Sequence, residues 1–310
     1  AYEDIKNSRK FLGVIFKYKK DDNQSLNNVL SNSLERKINY SKKTNASIGI
    51  IGAGNFTSKV ILPNLKYIKN IELNTIISKS GLSSNLLMKK YSFINNSTNS
   101  DFIFDNKKID TVFITSRHDS HSKFICNALK TNKNIFVEKP MAINNEQLEE
   151  IRALVPKSKS KIFVDFNRRF SPHIKKMKTL ISKISIPKAI NINVNSGMID
   201  KDHWTQDLKI GGGRIIGEVC HFIDLALFLS GSKIKNWNVV KMKSQKNDTL
   251  SISFEYENGS IATINYFSNG NSQYHKENIE VFIGNKILKL DNFKKLRGYV
   301  WNNFKSMNLW

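Results

Sequence analysis

A short apolar run that ends in two glycines constrains this chain more than any other stretch. Ser47-Ile48-Gly49-Ile50-Ile51 is followed at once by Gly52-Ala53-Gly54-Asn55-Phe56-Thr57, and then by Val60, Ile61, Leu65 and Ile68 at helical spacing. A strand that turns this tightly into a helix uses glycine at the turn. It brings backbone N–H groups to a helix N-terminus, where a diphosphate can bind. The third small position is Thr57 rather than Gly, so the pattern by itself also fits an ordinary strand–helix turn.

The same rhythm continues as far as residue 166. Strands are expected at 71–77, 110–115, 134–137 and 161–165, with helices at 82–91, around Phe124, Ile125, Ala128 and Leu129, and from Asn144, where Gln147 is a capping-box partner. Strands alternating with helices imply βαβ units and a doubly wound parallel sheet covered on both faces. Beyond residue 166 the rhythm changes. A helix (171–184), a strand (188–196) and an apolar helix (217–229) precede strand-like runs at 237–243, 249–256, 260–267, 278–283 and 286–290. Asn258-Gly259 is a tight-hairpin signal between two of them. Successive strands imply a largely antiparallel sheet. The expected fold is therefore an α/β Rossmann domain over 46–166, followed by an α+β domain over 167–310. Residues 1–45 read as a tail and linker, with a short helix in 1–20 and another at 26–37.

Several residues at strand ends carry chemistry. At the end of the second strand a carboxylate would bind the ribose of NAD. Ile77-Ser78-Lys79-Ser80 offers a hydroxyl and a cation instead, which favours the 2′-phosphate of NADP and leaves NAD as the alternative. Thr115-Ser116-Arg117-His118-Asp119-Ser120-His121 falls where a Rossmann sheet reverses its strand order, although Asp119 or Ser120 could simply cap the next helix. Ile135-Phe136-Val137-Glu138-Lys139-Pro140 places a lysine at another strand end. Hydride transfer at an alcohol carbon needs a partner for the hydroxyl proton, and a lysine serves when its surroundings favour the neutral form. A surface lysine paired with Glu138 is the plainer reading. Asn167-Arg168-Arg169 could meet anionic groups or form interdomain ion pairs. The expected cofactor contacts are Gly52, Gly54, Asn55, Phe56, Thr57, Ser78, Lys79, Thr115, Ser116, Arg117, His121 and Glu138.

These marks resemble the Gfo/Idh/MocA oxidoreductases over residues 46–290. The resemblance rests on the glycine turn, the Thr115-to-His121 stretch and Glu138-Lys139-Pro140. It implies Lys139 as catalytic acid/base before an often cis proline bond, a substrate that is a sugar or sugar derivative, and pairing of copies through the outer face of the C-terminal sheet. Gly211-Gly212-Gly213-Arg214-Ile215-Ile216-Gly217-Glu218-Val219-Cys220-His221-Phe222-Ile223-Asp224 resembles the family segment that brings a histidine, here His221, to the nicotinamide. The departure is Gly217, where the family commonly has Asp. Glu218, one position later, either compensates or only positions His221. Asp224 reads as structural, and Cys220 as a small buried residue. With His203-Trp204 upstream, the segment also resembles two-module proteins in which a zinc-type alcohol dehydrogenase module precedes this one. Residues 1–18 are similar to the end of that first module. The chain is therefore expected to be incomplete at both ends, with 1–20 and 292–310 packing poorly. A non-catalytic NAD(P)-binding regulatory or scaffolding module is the alternative function.

Composition narrows the classes. The net charge is +23, from 49 Lys+Arg against 26 Asp+Glu. The basic residues are spread through a Lys-, Asn- and Ile-rich chain without an arm of interleaved aromatics, so no nucleic-acid partner is expected. No run of about 18 apolar residues suggests a membrane span, and Ala1-Tyr2-Glu3-Asp4 does not read as a signal peptide. Cys126 and Cys220 belong to no paired motif, so neither a disulfide framework nor a metal site is expected, which fits a cytoplasmic protein.

Overall fold

The computed structural model describes residues 30–31, 46–200, 202–243 and 248–308. Six strands form a parallel sheet: β2 (Ala46–Ile51), β3 (Ile71–Ile77), β4 (Asn95–Ser97), β5 (Thr111–Ile114), β6 (Asn134–Glu138) and β7 (Ile162–Asp165). Their spatial order is β4-β3-β2-β5-β6-β7, and β1 (Leu30–Ser31) joins the β4 edge antiparallel. The apolar run of β2 is continuous because both faces of the sheet are covered. Ile48 and Ile50 pack with Leu62, Leu65, Ile76 and Phe93 on one face. Ile51 packs with Val112, Ile125, Leu129 and Val137 on the other. The helices are α1 (Leu62–Leu65), α2 (Leu82–Tyr91), α3 (Asp101–Asp105), α4 (His121–Lys130) and α5 (Asn145–Leu154). Strand order reverses between β2 and β5, so a crevice opens at their carboxyl ends, where ligands bind in folds of this kind.

An eight-stranded sheet comes next in the chain. Its strands are β8 (Ala189–Asn195), β9 (Ile234–Lys241), β10 (Leu250–Tyr256), β11 (Ile261–Phe267), β12 (Glu277–Ile283), β13 (Lys286–Asp291), β14 (Lys295–Tyr299) and β15 (Ser306–Asn308). They lie in the order β15-β14-β13-β12-β8-β11-β10-β9. Only the β8–β11 pair is parallel. One face buries Ile192, Ile264, Ile279 and Leu288 against Met177 and Ile181 of α6 (Pro172–Ile181) and Phe222, Leu225 and Leu229 of α7 (Cys220–Ser230). The other face carries Asn193 and Asn265, whose amides bond across the strands at 2.7 Å.

Local details refine the expectations. The helix after the glycine turn opens at Asn55 and Phe56, passes through a π turn at Thr57–Ile61 and ends at Leu65. That wider turn changes the helical phase. Ile61 and Leu65 are buried as expected, whereas Val60 and Ile68 are exposed. Asn144 caps α5 by accepting from Gln147 N, but the Gln147 side chain returns its bond to Ile143 N, one residue earlier than a capping box requires. Leu30–Ser31, inside the expected helix at 26–37, is strand instead. The rest of that helix, and the one in 1–20, lie outside the described residues. Asn258-Gly259 does form a hairpin, with Gly259 at φ +78.

The expectation of poor packing is corrected over residues 292–308, whereas 1–20 and 309–310 lie outside the described residues. The hairpin of β14 and β15 extends the sheet, so Leu296 is fully buried and Trp301 and Phe304 pack on the core. Trp301 Nε1 also donates to Ile287 O at 3.0 Å. No helix among the described residues is long and apolar enough to cross a membrane.

Candidate functional site

The glycine turn lies at the switch point. Gly52 has φ +115, and a Cβ there would stand 2.6 Å from the Thr115 carbonyl carbon and oxygen. The first glycine is thus required by the close approach of the two central strand ends. Thr115 Oγ1 donates to Gly52 O at 2.9 Å, and Thr57 Oγ1 donates to the same carbonyl at 2.7 Å. Around Gly54 nothing lies within 4 Å of a built Cβ. That open space faces the first N–H groups of the helix, which have no intrahelical carbonyl to bond. The open space and free N–H groups suit a diphosphate, which the backbone N–H groups of Gly54, Asn55 and Phe56 would hold.

Several expected cofactor contacts make bonds within the protein. Thr57 is fully buried, and its hydroxyl closes the turn. His121 is fully buried as well. Its Nδ1 faces Pro140 O at 2.8 Å and its Nε2 faces Ser116 O at 3.0 Å, so it pins two loops together. The Ser78 hydroxyl donates to Ser84 Oγ and accepts from Ser84 N at the start of α2, which leaves Lys79 as the exposed side chain there. The Glu138 carboxyl faces Asp165, its register partner on β7. Burial, and then the hydrogen bond and charge of Asp165, push Glu138 up to about 8. Ser116 Oγ lies 2.6 Å from Ser120 Oγ, and the Arg117 guanidinium lies over the Trp204 ring.

Lys139 sits half-buried at the carboxyl end of β6, before a cis bond to Pro140. Its Nζ donates to Gly217 O at 2.7 Å and not to Glu138 beside it. Gly217 belongs to a π turn, Ile215–Val219, that precedes α7. Lys139, Gly217, Glu218 and His221 share a cavity of about 400 Å³ with His118, Arg168, Trp204, Arg214 and Lys276. His221 is buried and is lowered to about 2 by burial and then by the charges of Arg168 and Lys139. The ring is therefore neutral at ordinary pH. Its Nδ1 is buried without a partner among the described residues, so its hydrogen-bonding capacity is unspent.

Glu218 is turned elsewhere. Its carboxylate accepts from Ser196 at 2.7 Å, from Lys276 at 2.8 Å and from the Tyr266 hydroxyl. Burial raises its pKa, but these bonds outweigh it and hold the group at about 2. Glu218 thus braces the wall of the cavity through these partners. The two arginines at the domain junction are ion-paired. Arg168 grips Glu277 through two bonds of 2.9 and 2.6 Å, and Arg169 grips Asp224. Burial pushes the Cys220 thiol up to about 11, as befits an unreactive residue. Sequence reasoning did not single out Ser196, Arg214 or Lys276. No local pattern marks them, because only the packing of β8, β12 and α7 brings them to the cavity.

Comparison with known proteins agrees with this geometry. Residues 46–166 match the family described as "Oxidoreductase family, NAD-binding Rossmann fold", and residues 174–286 match the "GFO/IDH/MocA C-terminal domain". An uncharacterized oxidoreductase, YrbE of Bacillus subtilis, is 30% identical over 229 residues, covering 70% of this chain and 65% of that protein. The myo-inositol 2-dehydrogenase of Thermotoga maritima is 24% identical over 136 residues, 43% of this chain and 40% of the enzyme. Among solved structures, levoglucosan dehydrogenase in complex with NADH and levoglucosan has a TM-score of 0.74 at 18% identity, covering 86% of this chain and 80% of that one. The chain spans just under two thirds of the length of the first two curated relatives it matches. On the two matched domains together, this chain belongs to the Gfo/Idh/MocA family of oxidoreductases with an NAD-binding Rossmann fold.

Proposed function

We propose that this protein transfers hydride between a nicotinamide cofactor and a hydroxyl carbon of a sugar-like substrate. The observation that carries this reading is the single cavity in which Lys139 and His221 meet, at the carboxyl end of the parallel sheet that also bears the glycine turn. When bound, the nicotinamide accepts or supplies the hydride. Lys139 takes the hydroxyl proton during oxidation and returns it during reduction. Neutral His221 donates to or accepts from the reacting oxygen. Relatives described as inositol dehydrogenases, and a neighbour in complex with levoglucosan, support a polyol or sugar.

NADP(H) is favoured over NAD(H), because exposed Lys79 stands at the end of β3 where no carboxylate occurs. Calorimetric titration of both cofactors tests this, and tighter NAD(H) binding would count against it. Turnover of a polyol panel with each cofactor tests the enzyme. The alternative, a non-catalytic NAD(P)-binding module, draws on Gly217 and the diverted Glu218. It predicts cofactor binding without turnover. Pairing of copies through the outer face of the eight-stranded sheet is a further part of the proposal, checked by sedimentation.

A further inference from the structure

The cavity is rich in donors and poor in acceptors. Lys139, Arg168, Arg214 and Lys276 line it as cations, and its one lining carboxylate, Glu218, is occupied by Ser196, Tyr266 and Lys276. A polyol donates as many hydrogen bonds as it accepts, so its hydroxyl protons need acceptors on this wall.

His118 is built to be one. It occupies the helical turn His118–Ser120 after β5, clamped to the opposite domain by Asp119 N donating to Ile210 O at 3.0 Å. Its Nδ1 lies 2.8 Å from Gly211 O. A carbonyl only accepts, so Nδ1 carries the proton and Nε2 of the neutral ring keeps a lone pair. Nε2 has no partner among the described residues, yet the ring lines the cavity. The ring cannot drift. Trp204 meets it edge-on at a centroid distance of 4.7 Å, and Gly217 packs so closely that a Cβ there would lie 3.3 Å from His118 Cε1. A side chain at 217 would crowd this imidazole where it stands near Lys139.

We infer that His118, through Nε2, accepts a hydrogen bond from a second hydroxyl of the substrate, next to the hydroxyl handled by Lys139. The substrate class is then a polyol with neighbouring hydroxyls. This rests on the oxidoreductase reading, and His118 is a substrate-binding residue in it.

The test compares wild type with His118→Phe, which keeps a ring but loses the acceptor, and His118→Gln, which keeps one. Turnover is measured on myo-inositol, levoglucosan and L-sorbose. On the substrate that wild type turns over, His118→Phe should raise KM roughly 5- to 100-fold, the cost of leaving one hydroxyl unpaired. kcat should change less, NAD(P)H affinity should stay within about twofold, and His118→Gln should recover part of the loss. An unchanged KM in His118→Phe would overturn the inference while leaving the oxidoreductase reading standing. If wild type turns over none of the three, that reading fails. The inference is then decided by ¹⁵N-histidine spectra of the cofactor-loaded protein titrated with the same polyols. A shift of the His118 Nε2 resonance supports it, and no shift with any of them refutes it.

Discussion

The two glycines of the turn should fail in opposite ways. Gly52→Ala places a Cβ 2.6 Å from the backbone of Thr115, at φ +115, where L side chains are strained. Backbone strain of this kind costs about 1–3 kcal/mol, and forcing an atom into a packed site costs about another 1–3 kcal/mol. The sum, roughly 2–6 kcal/mol, is a large part of the ~5–15 kcal/mol available to a protein of this kind. Gly54→Ala meets nothing within 4 Å and lies outside the positive-φ glycines. Its stability should stay within about 1 kcal/mol of wild type or rise. The added methyl would instead occupy the approach of the cofactor diphosphate. Using the same ~1–3 kcal/mol for steric intrusion, NAD(P)H affinity should fall roughly 5- to 150-fold. Urea denaturation read through the midpoint at constant m-value gives the stability, and fluorescence titration gives the affinity. A stable Gly52→Ala protein would refute the close-approach argument. Wild-type affinity in Gly54→Ala would refute the placement of the diphosphate.

Other outcomes rest on the same geometry. Lys139→Ala should lower turnover ~10²–10⁴-fold with cofactor affinity within a few-fold. Glu218→Gln should be milder, and an equally large loss there would show Glu218 acting on the substrate. Burial and the nearby Lys139 lower His118 from 6.5 to about 4, against the opposing bond to Gly211. Between those values the unfolded chain binds a proton that the folded one does not. The stability is therefore complete above about pH 6.5 and is lost as pH falls toward 4. His118→Gln should flatten the fall of urea midpoints over this window by up to ~1.4 kcal/mol per pH unit, and identical slopes would contradict the assignment. His121 and His221 are lowered as well and leave a residual slope. Trp301→Ala should cost about 2–4 kcal/mol, combining the partly buried ring with its bond to Ile287 O. A midpoint equal to wild type would mean the C-terminal hairpin contributes little.

How much of the fold is legible depends on the range of the cause. The strands at 71–77 and 134–138 and the helix at 82–91 are readable because a run of apolar residues, or their spacing, reports which faces are covered. Strand β4 is not. Asn95-Asn96-Ser97 has no apolar signature, and it is a strand only because β3 and β1 flank it. Strands β14 and β15 escape sequence reasoning for the same reason, since their burial comes from pairing with β13. The two π turns leave no mark in the sequence, yet one of them sets which residues of the first helix are buried.

The sequence by itself determined the class of fold, the glycine turn and a lysine, Lys139, at the end of a parallel strand, while the family resemblance of its segment marked His221. The first three depend on local backbone needs or on a residue type at a strand end. Only the tertiary structure decided what each neighbour does. Thr57 and His121 read as ligand contacts but are fully buried against carbonyls, and half-buried Glu138 faces the Asp165 carboxyl. Glu218 is one residue from the expected carboxylate, yet its side chain is captured by groups 22 to 58 residues away in the chain. His118 gains its role because Gly211, Trp204 and Gly217 close around it from the second domain. Hydrogen-bond partners drawn from distant segments have no periodicity in the sequence. They exist only once the two sheets have packed side by side.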